Sequence, residues 1–440
     1  MSTSRIGSPN ILIIMTDQQR WDSLGCYGFQ GVDTPNLDRL AREGALFTNC
    51  YVNNPICTPS RASMLTGKRI GSHGVCQLHD ILPEQEVLLP ERLREGGYQT
   101  ALFGKLHVSG RIYEEAQRHP HDGFDVYEWC LEASISLDSP LNGYASWLKN
   151  KNYDFFQDLK SKGRKLLHIP REYHFTHWAG ERTREFIRHE RDKAKPFFCM
   201  MSVFDPHNPY EDYPEEYGER VHMDRLPPVV SMKEESGEPS SAAIAAIHRE
   251  RQYSYFGNAE KFSAGDVEKI RKGYYASLAL LDDEVGEVLK VLDEEGITDS
   301  TLVIFISDHG DMTGDHDLYV KGIPLYDPVV KIPFIMRWPE TIPEGQTIDA
   351  LVQPSDLFAS CLGAAGIEPP EGKRDTENLL PLAAGKIDSV RDIAVCEYRN
   401  SGINHTGTYW APPMNATMVR YEKDYFLLLQ VFQEHPLNRL

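Results

Sequence analysis

A cysteine stands at the start of a segment that favours a negative charge on its side chain. In Cys57-Thr58-Pro59-Ser60-Arg61, the proline suits the first turn of a helix, so Cys57 is predicted to lie just before a helix N-terminus. The helix dipole and the free N–H groups of that turn stabilise an anionic atom held beside them. The alternative is a buried free thiol, which is the prediction for the other seven of the eight cysteines.

Polar side chains follow three apolar runs, each of which is typical of a buried parallel strand. The runs and the residues after them are Asn10–Thr16 before Asp17, Thr301–Ser307 before Asp308 and His309, and 196–203 before Asp205 and His207. In open α/β sheets the ligand crevice lies at the carboxyl ends of such strands. These distant segments are therefore predicted to meet at one site.

Helical patterns lie between the apolar runs, and the helices they predict would connect the strands and hold them in place. Apolar residues repeat at three- and four-residue intervals in 36–43 and in 267–295. Strands that alternate with helices indicate an α/β fold. We predict a large, mostly parallel central sheet flanked by helices, with a small C-terminal α+β subdomain.

The composition is that of a folded soluble chain, with 440 residues, 41% hydrophobic content and a net charge of −19. A surface of this sign repels nucleic acid and anionic membranes, so neither is predicted as a partner. The apolar runs are far shorter than the about 20 residues that span a bilayer. No apolar signal core precedes the first run, so we predict a cytoplasmic protein unless a signal has been removed.

Four blocks of the sequence, taken in order, resemble the sulfatase family. They are Thr16-Asp17-Gln18-Gln19-Arg20, Cys57-Thr58-Pro59-Ser60-Arg61 with the following ASMLTGK, Gly104-Lys105-Leu106-His107, and Ser307-Asp308-His309-Gly310-Asp311 with Lys321 beyond it. The resemblance extends over residues 10 to 340. It implies an alkaline-phosphatase-like α/β fold and the hydrolysis of an organic sulfate monoester, whose alcohol is a carbohydrate, an aryl group or an alkyl group.

The resemblance implies that Cys57 is oxidised to formylglycine by a formylglycine-generating enzyme, because the family carries this modification in the pattern C-x-P-x-R. A thiol that attacked sulfur would leave a stable adduct. A hydrated aldehyde instead offers one hydroxyl for attack and a second that expels the sulfate.

The resemblance also implies one divalent ion. Its ligands would be the side chains of Asp17, Gln18, Asp308 and His309 and an oxygen of modified Cys57. Mostly oxygen ligands suit Ca²⁺, with Mg²⁺ and Mn²⁺ as alternatives. Many family members have a second aspartate where this chain has Gln18, and this departure leaves the identity of the metal open.

Basic residues take the remaining implied roles. Arg61 braces the formylglycine, and Lys105 and Lys321 bind the sulfate oxygens. His107 holds the formylglycine hydroxyl and later takes its proton. His207 protonates the leaving alcohol together with Lys321.

Two alternatives stay open. The first is a hydrolase of phosphonate monoesters or phosphodiesters from the same superfamily, which Gln18 favours mildly. Lys105 and His107 argue against it, because those hydrolases tend to replace this pair with uncharged residues. The second is a relative that binds the metal but has lost the chemistry, although every motif position is filled here.

We predict that the chain is divided into a catalytic domain over 1–345 and a smaller subdomain over 346–440. The stretch 208–265 is predicted to be an excursion over the surface, and 418–430 is predicted to form a hairpin. Family members continue beyond such a hairpin with a segment of the kind L-Y-D-L, which the sequence lacks. We therefore expect either a truncated subdomain or a different closure, with an edge strand that favours a homo-oligomer.

Overall fold

The computed structural model describes residues 7–230, 264–323, 325–339, 341–369, 375–399, 414–422 and 424–431. Its larger sheet has the strands β1 (Asn10–Thr16), β2 (Ala45–Tyr51), β3 (Gln99–Gly104), β4 (Val126–Trp129), β5 (Phe197–Ser202), β6 (Thr301–Ser307), β7 (Lys331–Arg337) and β8 (Gln346–Ile348). Their order across the sheet is β4-β3-β5-β1-β6-β7-β2-β8. Strand β7 is antiparallel to both neighbours and the other pairs are parallel, so the predicted α/β fold with a mostly parallel sheet is confirmed.

Helices cover both faces of this sheet. They are α1 (Pro35–Arg42), α2 (Cys57–Thr66), α3 (Ile70–His73), α4 (Leu89–Glu95), α5 (Arg111–Glu114), α6 (Gly143–Lys151), α7 (Tyr153–Lys162), α8 (Phe175–Glu185), α9 (Ala264–Glu294), α10 (Asp327–Val330), α11 (Asp356–Ala365) and α12 (Leu380–Ala383). Shorter turns of 3₁₀ or π geometry lie at Gly25–Tyr27, Gly163–Lys165, Arg171–Tyr173, Phe186–Glu190, Glu215–Arg220, Met223–Arg225 and Asp315–Asp317. In the described part of the chain, none of these helices is both long and apolar enough to cross a membrane.

The alternation of side chains along β1 assigns each face of the sheet to its own core. Ile11, Ile13 and Met15 pack in a buried cluster with residues of α2, α4 and α11. Leu12 and Ile14 point to the other face and pack with residues of α1, α8 and α9. A strand that is buried on both faces needs a continuous apolar run, which is why these strands could be recognised in the sequence.

The register of the central strands brings their carboxyl ends level with one another. Thr16 of β1 lies opposite Ser307 of β6, and Met15 lies opposite Ser202 of β5. The residues that follow the strands therefore emerge at one edge of the sheet. This confirms that Asp17 and Asp308 meet at one site.

A small antiparallel sheet forms the C-terminal part, with the strands β9 (Ile393–Arg399), β10 (Met414–Tyr421) and β11 (Asp424–Val431) in the order β11-β10-β9. The predicted hairpin is present as β10 and β11 and begins earlier than expected. Strand β8 pairs with β2 of the large sheet, and Cys396 of β9 shares a buried cluster with Met64 of α2. The division at 345 and the homo-oligomer stay predictions.

Two further expectations can be compared with the structure. Of the predicted excursion 208–265, residues 208–230 form turns, and 231–263 lie outside the described residues. The seven cysteines other than Cys57 are free, as predicted, but Cys26 and Cys76 are only half-buried.

Gly104 ends β3 where the backbone approaches β5 most closely. Its φ is +117°, and a Cβ at this position would lie 1.9 Å from the carbonyl oxygen of Ser202. Lys105 follows at once and donates its backbone N–H to the same oxygen at 2.9 Å. Glycine at 104 therefore lets the chain turn from the sheet directly into the site.

Gly104→Ala should destabilise the fold by about 3 kcal/mol or more, because it adds a backbone clash to an unfavourable φ. Gly28→Ala is the matched control, since Gly28 has a φ of +94° but open space around its Cβ position. The control should lose about 1–2 kcal/mol, the cost of the backbone conformation alone. Free energies of unfolding from urea titrations compare the two, and equal losses would contradict the packing argument.

Candidate active site around Cys57

Helix α2 carries Cys57 into the edge of the sheet where the strands end. The helix begins at Cys57 itself, with Pro59 in its first turn, so the predicted helix start is correct to within one residue. Every residue of α2 is buried. Ser60 donates its hydroxyl to the carbonyl oxygen of Asp308 at 2.7 Å, which fixes the helix N-terminus against the end of β6.

Arg61 joins the motif blocks through a fully buried guanidinium group. Its Nε donates to Asp308 Oδ2 at 2.6 Å, and one terminal nitrogen contacts Asp17 Oδ2 at 3.4 Å. The other terminal nitrogen donates to the carbonyl oxygen of Lys105 and to Ser202 Oγ, both at 2.9 Å. These contacts make Arg61 the organiser of the two carboxylates and of the loop after β3, beyond its predicted role beside residue 57.

Three of the predicted metal ligands have a buried polar atom for which the described residues provide no hydrogen-bond partner. Among the described residues, the buried atoms Asp17 Oδ1, Gln18 Oε1 and His309 Nε2 have no hydrogen-bond partner. His309 Nε2 lies 3.7 Å from Asp17 Oδ1 and 3.6 Å from Asp308 Oδ1. Buried carboxylates and imidazoles without partners are expensive unless they share a cation. The donor set therefore fits a divalent ion bound by oxygens and one imidazole nitrogen.

The side chain of Gln18 is oriented by two acceptors. Its Nε2 donates to Asp311 Oδ2 at 2.6 Å and to Asn208 Oδ1 at 3.3 Å. These hydrogen bonds occupy the amide nitrogen and leave the buried Oε1 as the atom of Gln18 that is available to a cation. Tyr210 also donates to Asp311 Oδ2, at 2.6 Å, and holds that carboxylate in place.

Positive charges surround the sulfur of Cys57, which stands where an oxygen of formylglycine would be. Lys321 Nζ lies 3.5 Å from Sγ. Burial alone would raise the pKa of the thiol, but Lys105, Lys321 and His107 hold the pKa well below its ordinary value. Burial would likewise raise the pKa of Asp17, and the surrounding charges, led by Lys105, keep that pKa low. The site therefore stabilises an anion at residue 57 despite the chain's negative net charge.

His207 and Lys321 form a hydrogen-bonded pair beside that sulfur. His207 Nδ1 lies 2.6 Å from the carbonyl oxygen of Asn208, which can only accept, so Nδ1 carries the hydrogen. Nε2 therefore accepts from Lys321 Nζ at 2.9 Å. Burial and the charge of Lys321 lower the pKa of His207 well below its ordinary value. In this arrangement the transferable proton is on Lys321.

The sequence-predicted residues are thus brought together at one edge of the sheet. Lys105 forms a short ion pair with Asp17, and His107 lies in contact with Thr58 of α2. Sequence reasoning missed the residues that orient them, notably Asn208, Tyr210 and Asp311. Asp311 lies within the quoted block from Ser307, and Asn208 directly follows His207, so proximity to predicted site residues was the available signal.

The sequence and structural comparisons identify similar proteins. A family model described as Sulfatase matches residues 9–367. An arylsulfatase of Clostridium perfringens is 32% identical over 382 residues, which cover 82% of this chain and 76% of that protein. An N-acetylglucosamine-6-O-sulfatase of Bacteroides thetaiotaomicron is 26% identical, with 82% of this chain and 68% of that protein covered. The crystal structure of a phosphonate monoester hydrolase of Agrobacterium radiobacter superposes with a TM-score of 0.77 and 25% identity, and covers 96% of this chain and 89% of that chain.

Asp308→Asn and His309→Gln should each lower the metal content of the purified protein, since each removes one ligand from the cage. Wild type should gain thermal stability on addition of Ca²⁺, by about 2.7 kcal/mol when the ion is at 100 times its dissociation constant. Both variants should lose most of this gain. Elemental analysis and thermal unfolding with and without Ca²⁺ measure the two effects.

Asp282→Asn provides the control for these variants. Asp282 is a buried carboxylate that accepts backbone N–H groups of Asn36 and Leu37 at the start of α1, away from the site. This variant should keep the metal content and the stabilisation by Ca²⁺. A ligand variant that binds the ion as tightly as wild type would refute the assignment of that ligand.

Proposed function

The chain belongs to the sulfatase family, and from this membership we propose how its residues share the hydrolysis of an organic sulfate monoester. Family membership implies a metal ion and a formylglycine. When present, the formylglycine hydrate supplies one hydroxyl that attacks sulfur and a second whose deprotonation expels sulfate, while the ion supplies positive charge at these oxygens. We also propose the roles of the individual side chains.

The observation that carries the proposal is the convergence of donors on residue 57. Lys321 Nζ lies 3.5 Å from Cys57 Sγ at the N-terminus of a buried helix, and the charge of Lys105 also lowers the pKa of this thiol. A sulfate monoester carries one negative charge over three terminal oxygens, which suits two ammonium groups and a helix N-terminus. We assign Lys105 and Lys321 to these oxygens.

The leaving alcohol needs a proton because charge builds on its oxygen as the ester bond breaks. The hydrogen-bond directions at His207, whose Nε2 accepts from Lys321, support Lys321 as the source of that proton. We propose that Lys321 delivers the proton and that His207 holds and polarises it, a refinement of the role first predicted for His207. His107 takes the proton of the second hydroxyl on residue 57.

We propose Ca²⁺ as the ion, with Asp17, Gln18, Asp308, His309 and modified residue 57 as ligands. Oxygen donors predominate in this set, as Ca²⁺ prefers, and Mg²⁺ and Mn²⁺, which share this preference, are the ions to compare. A formylglycine-generating enzyme is the proposed partner in maturation, since the segment from Cys57 to Arg61 matches the modification pattern.

A carbohydrate sulfate is the proposed substrate class. The names of the Bacteroides relative and of an N-acetylgalactosamine-6-sulfatase from dog, 28% identical to this chain, support sugar sulfates. The Clostridium relative supports aryl sulfates instead.

A phosphonate monoester hydrolase is the second candidate. The structural similarity to the Agrobacterium enzyme and the presence of Gln18 favour it. The presence of Lys105 and His107 favours a sulfatase. Lys105 suits the single negative charge of a sulfate group, and His107 suits the removal of a proton when sulfate is eliminated from residue 57.

Wild type should hydrolyse at least one sulfate monoester faster than any phosphonate monoester at matched concentration. A panel of sulfated sugars, aryl sulfates and phosphonate monoesters measures this, with Cys57→Ala as the blank. Far faster cleavage of a phosphonate monoester than of every sulfate ester would reverse the order of the two candidates.

Lys105→Met should lower kcat/KM for a sulfate ester by about 100- to 1000-fold, as expected for the loss of a buried donor to developing negative charge. Lys68→Met is the matched control. Lys68 forms an ion pair with Glu86 at 2.7 Å shortly after α2, and its loss should leave kcat/KM near the wild-type value. Steady-state kinetics of both variants decide, and equal losses would contradict the assignment.

A further inference from the structure

The backbone of His107 is held in an uncommon conformation by a buried carboxylate. His107 has a φ of +56°, which is left-handed and unfavourable for a residue with a side chain. Its N–H donates to Glu114 Oε2 at 2.9 Å, and the N–H of Ser109 donates to Glu114 Oε1 at 3.0 Å. Trp129 Nε1 adds a third hydrogen bond to Oε2 at 2.9 Å. Glu114 is 2% exposed, so these three hydrogen bonds are shielded from water.

The carboxylate of Glu114 suits this task because an ionised group offers only acceptors. Each of its two oxygens meets an N–H of the loop that follows β3, on either side of Val108. Hydrogen bonds to a charged acceptor are stronger than those between neutral groups. They offset the about 1–2 kcal/mol that the left-handed conformation costs.

The imidazole ring of His107 is fixed by Thr58, the residue after Cys57. The hydroxyl of Thr58 donates to the carbonyl oxygen of Leu78 at 2.8 Å, so its hydrogen is already used. Thr58 Oγ1 also lies 3.2 Å from His107 Nε2, and the remaining role for this oxygen is that of acceptor. Nε2 therefore carries the ring hydrogen in the neutral imidazole.

This tautomer leaves Nδ1 as the basic atom of the ring. Among the described residues, His107 Nδ1 is buried and has no hydrogen-bond partner. The ring contacts Thr58, the residue after Cys57, and a ring nitrogen with a free electron pair is what proton removal at residue 57 requires. Thr58, in the same helix turn as Cys57, thus determines which ring nitrogen of His107 carries the hydrogen.

We propose that Thr58 and Glu114 are positioning residues that present His107 in the Nε2–H tautomer, with Nδ1 as the proton acceptor for residue 57. The inference rests on the proposed function, in which His107 takes a proton from the hydroxyl that does not carry sulfate. That proton goes to Nδ1, the electron pair of the O–H bond forms the C=O bond of the aldehyde, and the C–O bond breaks with its pair leaving on sulfate. Loss of either positioning residue slows this release step.

Thr58→Val and Glu114→Gln test the proposal. Thr58→Val removes the acceptor at Nε2, and Glu114→Gln places an NH₂ group against a backbone N–H of the loop. Both should lower kcat by about 10- to 100-fold with a much smaller change in KM, because misplacement of a reacting group of this kind acts on the chemical step. After incubation with substrate, mass spectrometry of the peptide containing residue 57 should show retained sulfate in both. Thr58→Ser keeps the hydroxyl and should restore the wild-type kcat.

Matched controls separate positioning from general stability. Thr66→Val removes another buried hydroxyl of α2, which donates to the carbonyl oxygen of Ala62 at 2.7 Å. Asp282→Asn neutralises another buried carboxylate that accepts backbone N–H groups. Both controls should keep kcat and retain no sulfate. All rates are divided by the fraction of residue 57 found as formylglycine, and Glu114→Gln lies outside the modification segment.

His107→Ala distinguishes a failure of this inference from a failure of the proposed function. If His107→Ala releases sulfate normally, the proposed role of His107 is wrong. If His107→Ala retains sulfate while Thr58→Val and Glu114→Gln behave like their controls, the positioning inference alone is overturned. Nitrogen-15 spectra of labelled histidine rings add a readout independent of turnover, since wild type should show an unprotonated Nδ1 for His107 and Thr58→Val should lose this preference. An unprotonated Nε2 in wild type would also overturn the inference.

Discussion

The site depends on one buried interaction, the contact of the Arg61 guanidinium with the carboxylates of Asp17 and Asp308. Two carboxylates at the ends of adjacent strands, both fully buried, repel each other and lose their hydration. Arg61 compensates part of that charge from one side and at the same time binds the loop after β3. The buried oxygen and nitrogen atoms of Asp17, Gln18 and His309 that have no hydrogen-bond partner would hold a divalent ion, which would compensate the rest.

This arrangement explains how a chain of net charge −19 builds an anion site. The long-range field of the surface is screened within about 10 Å of salt solution, whereas contacts inside the site act over a few ångströms and without water. Lys105, Lys321 and the N-terminus of α2 therefore determine the local sign. The acidic side chains described in the site are each matched by donors, as with Asp17 and Lys105 or with Glu114 and the backbone N–H groups of His107 and Ser109.

Much of this was accessible from the sequence, and the parts that were not share a physical reason. Continuous apolar runs predicted β1 and β6 with their observed bounds, because strands covered on both faces have no polar positions. The motif blocks contain Asp17, Asp308, His309 and Lys105, which the fold brings together at one edge of the sheet. The antiparallel direction of β7 and the partners of Gln18 depend on how segments far apart in sequence approach each other. Gln18 and Asp311, for example, are 293 residues apart, and no local pattern of residues encodes such a pairing.

The burial of α2 has a consequence for the timing of biosynthesis. Cys57 is 2% exposed, and Ser60 beside it is fastened to Asp308, which follows 248 residues later in the chain. At translation rates of about 5–20 residues per second, about 10–50 s pass between the synthesis of these two residues. An enzyme that modifies Cys57 would therefore find the segment open during this interval, before Asp308 is available to close it.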